Sequence, residues 1–133
     1  MLKAIAPWLG ISRSVMLERM YGDRTKVTAE TLVGYRKPLL LPRSIDYGLA
    51  IARSWGSDLL HLRGCVEAVS GMPVLLIWGD HDLLVPLASG HELKRRLKNA
   101  EMVVLRGIGH LPYEESPEEF NRILLEFLKL PEN

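Results

Sequence analysis

The stretch "VLLIWGDHDLLVP", residues 74–86, decides how the rest of the chain is read. Val74 to Trp78 run without a polar break into Gly79, then into Asp80, His81 and Asp82. A strand apolar on both faces is how a parallel strand covered by helices on each side reads. Open parallel sheets bind ligands beyond the carboxyl ends of their strands, where loops are free to carry polar groups. Two carboxylates and an imidazole at such an end are placed for chemistry.

Downstream, the pattern repeats. Leu87 to Lys98 reads as a helix with Leu93 and Leu97 inward and "KRRLK" (94–98) as a solvated face, its cations suiting the helix C-terminus. Met102 to Leu105 is a second buried strand, and "RGIGHLPYEE" (106–115) is its polar end. "SPEEFNRILLEFL" (116–128) opens with Ser116 as N-cap, Pro117 at the first helical position and Glu119 completing a capping box. Phe120, Ile123, Leu124, Phe127 and Leu128 then form one apolar stripe. Strand, helix, strand, helix implies a right-handed crossover and a parallel sheet, hence an α/β class. If the two strands are neighbours, Asp82 and His110 meet at one sheet edge. A carboxylate that accepts a hydrogen bond from one imidazole N–H leaves the other nitrogen as a general base.

Upstream, residues 1–71 read as short helices broken by Gly and Pro. Met16, Leu17, Met20 and Tyr21 lie at helical spacing and stop at Gly22. Thr28 is an N-cap with Glu30 in the first turn, and that helix is expected to end near Pro38. A helix follows Pro42 with Gly56 as its stop, and Asp58 caps a further one carrying Leu62, Val66 and Val69. At 133 residues, 47% apolar, 25% charged and a formal charge of +1, the chain gives no electrostatic reason to expect nucleic acid or an anionic membrane as partner. Its longest wholly apolar run falls far short of the roughly 20 residues of a membrane span, and its N-terminus lacks the pattern of a signal peptide. The single cysteine, Cys65, has no internal disulfide partner and fits a reducing compartment, with packing as its expected role. A cytoplasmic protein is the expectation.

"PVLLIWGDHDLLVP" followed by "NAEMVVLRGIGHLPYEESPEEFNRILLEFL" resembles the C-terminal part of the α/β-hydrolase fold over roughly residues 72–130. The resemblance implies that Gly79-Asp80-His81-Asp82 supplies the acid as Asp82, and that Gly109-His110 supplies the base as His110. Glu115 fits the family's usual acidic position before the next helix. By position, residues 1–71 resemble the helical lid of such enzymes and residues 72–133 the C-terminal part of the core. Trp8 and Trp55 would then either line an acyl pocket beneath the lid or simply pack. Leu84 and Leu111, beside the acid and base, are the expected substrate-lining residues. No cofactor and no metal are implied: Asp80, His81, Asp82 and His91 are ligand types, but no two histidines share a metal-binding spacing on one helix face.

The family's nucleophile elbow, G-x-S-x-G or a close relative, does not occur in these 133 residues. Serines stand at 12, 14, 44, 54, 57, 70, 89 and 116, and none follows an apolar strand with glycines on both sides. The chain therefore reads as a fragment or truncated product that supplies acid and base only and is inactive alone. A small-molecule carboxylic ester is the first substrate expectation for the intact parent, with haloalkane, epoxide or carbon–carbon bond chemistry as alternatives. Self-association or a complementing N-terminal fragment would answer the open strand edge. A non-enzymatic module that binds a partner through that edge is the rival reading.

Overall fold

The computed structural model describes residues 17–128. Trp8 and Met16 lie outside the described residues. A helical turn over 17–20 leads through a 3₁₀ turn at Arg24–Lys26 into α1 (Ala29–Leu39) and α2 (Ser44–Ala68). Then come β1 (Val74–Gly79), α3 (Leu87–Arg96), β2 (Ala100–Leu105), the one-turn α4 (Pro112–Glu115) and α5 (Pro117–Leu128). The architecture is the expected α/β one, a helical segment followed by strand–helix–strand–helix.

β1 and β2 pair in parallel, in register from Val74 opposite Ala100 to Gly79 opposite Leu105. A parallel pair requires a crossover, and α3 supplies it. Its last turn carries Lys94, Arg95 and Arg96, all exposed, where the helix dipole favours cations. The helix ends two residues before the expected Lys98; Leu97 leaves it as a buried C-cap, its N–H still bonded to Leu93 O at 3.0 Å. Leu105, Ile108 and Ile123 form the core of this half, with Leu75, Ile77 and Val103 packed around them. Ile123 comes from the α5 stripe, so the amphipathic pattern of 117–128 is directed at the sheet.

The helical half departs from its reading in two respects. Thr28 caps α1 as expected, its side chain accepting from Thr31 N at 3.1 Å, and the helix stops one residue beyond Pro38. Gly56 does not stop α2, however, and Asp58 does not begin a new helix: Ser44–Ala68 is one helix of 25 residues. An interior glycine costs about 1 kcal/mol relative to alanine but removes no hydrogen bond, and helix formers further out, Leu49, Ala50, Ala52 and Arg53 before it and Leu59, Leu60 and Leu62 after it, outweigh it. Arg43, at φ +65°, makes the turn between α1 and α2. No residue of α1 is buried. Cys65, expected to be packed, is exposed, because nothing among the described residues covers that face of α2. No helix among the described residues is long and apolar enough to cross a membrane.

A second small core joins the two halves. Leu17 and Tyr21 pack on Leu111, flanked by Met20 and Val27. The segment just before α1 is thus docked against the loop that follows β2.

Candidate functional site

Both strands run the same way, so the residues following Gly79 and Leu105 emerge at one edge. Asp80 N donates to Leu105 O at 3.1 Å and His81 N to Ile108 O at 2.9 Å, which continues the pairing beyond the sheet. Asp80 turns its carboxylate to Gly107 N at 2.7 Å and so ties one loop to the other. His81 is exposed. Asp82 is the residue that faces inward: its side chain is only 6% exposed.

The two oxygens of Asp82 have different tasks. Oδ1 accepts the backbone N–H groups of Leu84 and Val85, each at 2.9 Å. Oδ2 pairs with His110 Nδ1 at 2.8 Å. The Trp78 indole Nε1–H donates to Val85 O at 3.1 Å, closing the same turn from the strand side. An ionised carboxylate can only accept, so in a neutral imidazole this contact puts the proton on Nδ1 and the lone pair on Nε2. The side chain of His110 remains 31% exposed, so part of the ring meets solvent.

His110 is presented by a backbone crossing. Its N–H donates to Met20 O at 2.6 Å. Gly109 and Gly22 meet so closely that a Cβ on Gly109 would lie 2.4 Å from Met20 O and 2.5 Å from Gly22 N. Only glycine allows two backbones to approach in this way. Glu115, 3% exposed, sits beneath the crossing and accepts from Gly109 N at 2.6 Å, Gly22 N at 2.9 Å and Asp23 N at 3.2 Å. Lys26 Nζ donates to the Glu115 backbone carbonyl at 2.7 Å. The neighbouring Glu114 receives the hydroxyls of Tyr21 and Tyr35 on its two oxygens. Burial first, and then hydrogen bonding to that carboxylate, hold both phenols well above the usual tyrosine range. Asp23, exposed, is held below the usual carboxylate range by the Thr25 hydroxyl and then its N–H.

A cleft of about 270 Å³ opens at the pair, bounded by Asp82, His110, Trp78, Val85, Tyr113 and Phe120. Tyr113 and Phe120 meet edge to face at 6.0 Å. The two residues expected to line it do not. Leu84 is 41% exposed outside the cleft, because the turn that gives its N–H to Asp82 directs its side chain elsewhere. Leu111 is 5% exposed in the core with Leu17 and Tyr21. A larger hollow of about 850 Å³ lies at the α1–α2 turn beside Pro38, Leu41, Arg43 and Tyr47, away from the acid and imidazole. Trp55 lines neither space and is 62% exposed on α2. Among the described residues no group of three or more His, Cys, Asp or Glu is placed to hold a metal.

Sequence reasoning misses Val85, Tyr113 and Phe120 as lining residues. Phe120 reads as part of the core stripe, and the single turn of α4 brings Tyr113 next to it. The sequence also assigns no contacts to Glu115, although an acid two residues before a helix-starting Pro is a visible signal.

The fold agrees with what the chain is similar to. Residues 9–117 match the family model described as "alpha/beta hydrolase fold". An uncharacterized hydrolase of Bacillus subtilis, YugF, is 27% identical over 132 residues, covering 94% of this chain and 45% of that protein. A 2-hydroxy-6-oxononadienedioate/2-hydroxy-6-oxononatrienedioate hydrolase of Paraburkholderia xenovorans is 41% identical over 56 residues, 42% of this chain and 19% of that protein. The crystal structure of a mutant of CumD, a meta-cleavage product hydrolase, superposes with a TM-score of 0.71 at 25% identity, over 87% of this chain and 44% of the other. The chain thus spans less than half the length of each of these relatives.

Proposed function

Because the chain belongs to the alpha/beta hydrolase fold family, we propose that it carries the base and acid of a hydrolase, His110 and Asp82, acting on a small-molecule substrate. The observation that carries this reading is the 2.8 Å pair between His110 Nδ1 and a nearly buried Asp82 carboxylate at the edge of a cleft. In the proposed reaction Nε2 takes the proton of a nucleophilic hydroxyl as that oxygen attacks a carbonyl carbon. The imidazolium, stabilised by Asp82, then returns the proton to the leaving group. A water activated by the same Nε2 releases the product.

The nucleophile belongs, in this reading, to a segment outside these 133 residues, since none of their serines stands in an elbow. Without it the chain alone is expected to be inactive, as loss of a triad nucleophile lowers turnover by about 10⁶. Residues 1–71 are read as the helical cap over the site and 72–133 as the C-terminal part of the core, in a cytoplasmic protein. The edges of the two-stranded sheet that stay unpaired among the described residues would receive the complementing segment.

A carboxylic ester is the simplest substrate for such a relay. The relatives favour a second reading. A 2-hydroxy-6-oxo-dienedioate carries two carboxylates, a hydroxyl and a ketone but no ester. A hydrolase acting on it must therefore add water across a carbon–carbon bond next to the ketone. The same His–Asp pair can serve either reaction, by moving a proton to an alkoxide or to a carbon leaving group.

The test is to co-express the chain with an N-terminal segment of a hydrolase-fold relative that carries a G-x-S-x-G elbow. Turnover of p-nitrophenyl butyrate and of a 2-hydroxy-6-oxo-dienoate is then measured, with intact mass after fluorophosphonate treatment. The expected result is one adduct on the complementing segment that disappears with His110→Ala. An adduct on a serine of this chain itself would refute the missing nucleophile. A closed homo-oligomer that never accepts the segment would favour the binding module.

A further inference from the structure

Glu115, at 3% exposure, is the most deeply buried charged residue among the described ones. Lys26 reaches its backbone carbonyl, and no cation among the described residues pairs with its carboxylate. A buried carboxylate without a counter-ion is costly unless its oxygens are fully hydrogen-bonded. Here three backbone N–H groups do this: Gly109 on Oε1, and Gly22 with Asp23 on Oε2. The shortest of them, at 2.6 Å, belongs to the residue that precedes His110. The next N–H, that of His110, goes to Met20 O at 2.6 Å. Both flanks of the Gly109–His110 peptide are therefore held by the same small structure, the crossing of 20–23 over 107–109.

From this we infer that Glu115 is a positioning residue for His110: its carboxylate fixes the Gly109 amide and so sets the imidazole against Asp82. The inference rests on His110 acting as the base proposed above. The other carboxylates of the loops do not perform this task. Asp80 holds the loop at Gly107, two residues before Gly109, and Asp82 touches His110 at its ring, its other oxygen being bonded to Leu84 N and Val85 N. The requirement is for a carboxylate specifically. Three N–H groups converge on two acceptor oxygens, so a glutamine must turn its NH₂ group toward Gly109 or toward the Gly22–Asp23 pair. Either orientation sets donor against donor and releases one side of the crossing.

The test follows the His110 Nδ1 proton and the backbone amides of the isotopically labelled chain by NMR. In the unaltered protein a far-downfield Nδ1 proton is expected, with a slowly exchanging Gly109 amide. In Glu115→Gln the Nδ1 proton is expected to exchange at least tenfold faster or to vanish, while the amides of β1 and β2 keep their protection. A merely structural glutamate would lower strand protection and the Nδ1 signal in parallel. An unchanged Nδ1 proton in a folded Glu115→Gln chain would overturn the inference and leave the relay itself standing. Absence of that proton from the unaltered protein would instead sink the relay, and the inference with it. Should Glu115→Gln not fold, warming the unaltered chain decides the matter: the Gly109 amide and the Nδ1 proton must be lost together, and an Nδ1 proton that outlives Gly109 protection rejects the role.

Discussion

The helices of residues 29–68 and the strand–helix unit of residues 74–128 treat their apolar side chains in opposite ways. In α2, Leu60 is 67% exposed and Tyr47 72% exposed; in β2 and α5, Leu105 is 3% and Ile123 7% exposed. Both halves have regular backbones. Only the second closes a core upon itself, and it is there that the acid and the imidazole are held. Helical periodicity gives a helix without giving it a partner, whereas the sheet, its crossover and its covering helix specify one another. Substitutions should then be severe in the second half and mild in the first.

The strongest way to break that contrast is Gly79→Ala. A Cβ there would lie 2.1 Å from Ile108 O and 2.2 Å from Gly109 O, both backbone atoms with no room to yield. The cost is expected to exceed about 4 kcal/mol, in the exceptional class of single substitutions, and to appear as loss of cooperative unfolding in a urea titration. Ile123→Ala should follow, at about 3 kcal/mol for a cavity among Leu105, Ile108 and Leu75. Its counterpart Leu60→Ala should stay within about 0.5 kcal/mol. Equal urea midpoints for these two variants would mean that α2 is as well packed as α5.

Alkali probes the joint between the halves. Tyr21 and Tyr35 both donate to Glu114, and their folded-state values lie above the ordinary 10.0. A raised acid contributes stability that is complete below the ordinary value and is lost as pH rises through the folded one. Chain stability should therefore begin to fall as pH rises past about 10, and a Tyr21→Phe/Tyr35→Phe chain should lose much of that fall. A denaturation midpoint with the same alkaline dependence in both would place the sensitivity elsewhere. The only favourable effect is expected from Gly56→Ala. Nothing lies within 4 Å of the added methyl, and α2 should gain about 0.5–1 kcal/mol, read as a higher thermal midpoint.

How much of the fold and the site is legible in the sequence follows the same divide. Val74–Trp78 and the run into Leu105 announce strands because continuous apolar residues bounded by glycine have few other uses. The pairing of Asp82 with His110 follows from placing both at the ends of adjacent parallel strands. Gly56 misleads, since a glycine that ends a helix and one that merely weakens it look alike in sequence. Leu111 misleads for another reason: adjacency to His110 along the chain says nothing about facing, and its side chain turns to Leu17 and Tyr21 instead. The place of Glu115 before Ser116-Pro117 is visible in the sequence, but its partners are not, because they arise where two distant backbones cross and no local pattern records a crossing.

That crossing also has a bearing on the order in which the molecule assembles. The tie from Asp80 to Gly107 spans 27 residues, whereas that from Gly22 to Glu115 spans 93. Closing the longer loop costs about 1 kcal/mol more in chain entropy, and such distant contacts slow folding. The sheet and its crossover therefore have the kinetic advantage, and residues 20–23 arrive on a surface already formed. Asp82 belongs to the early, local part of this assembly. His110 is then expected to take its final backbone position only when residues 20–23 dock.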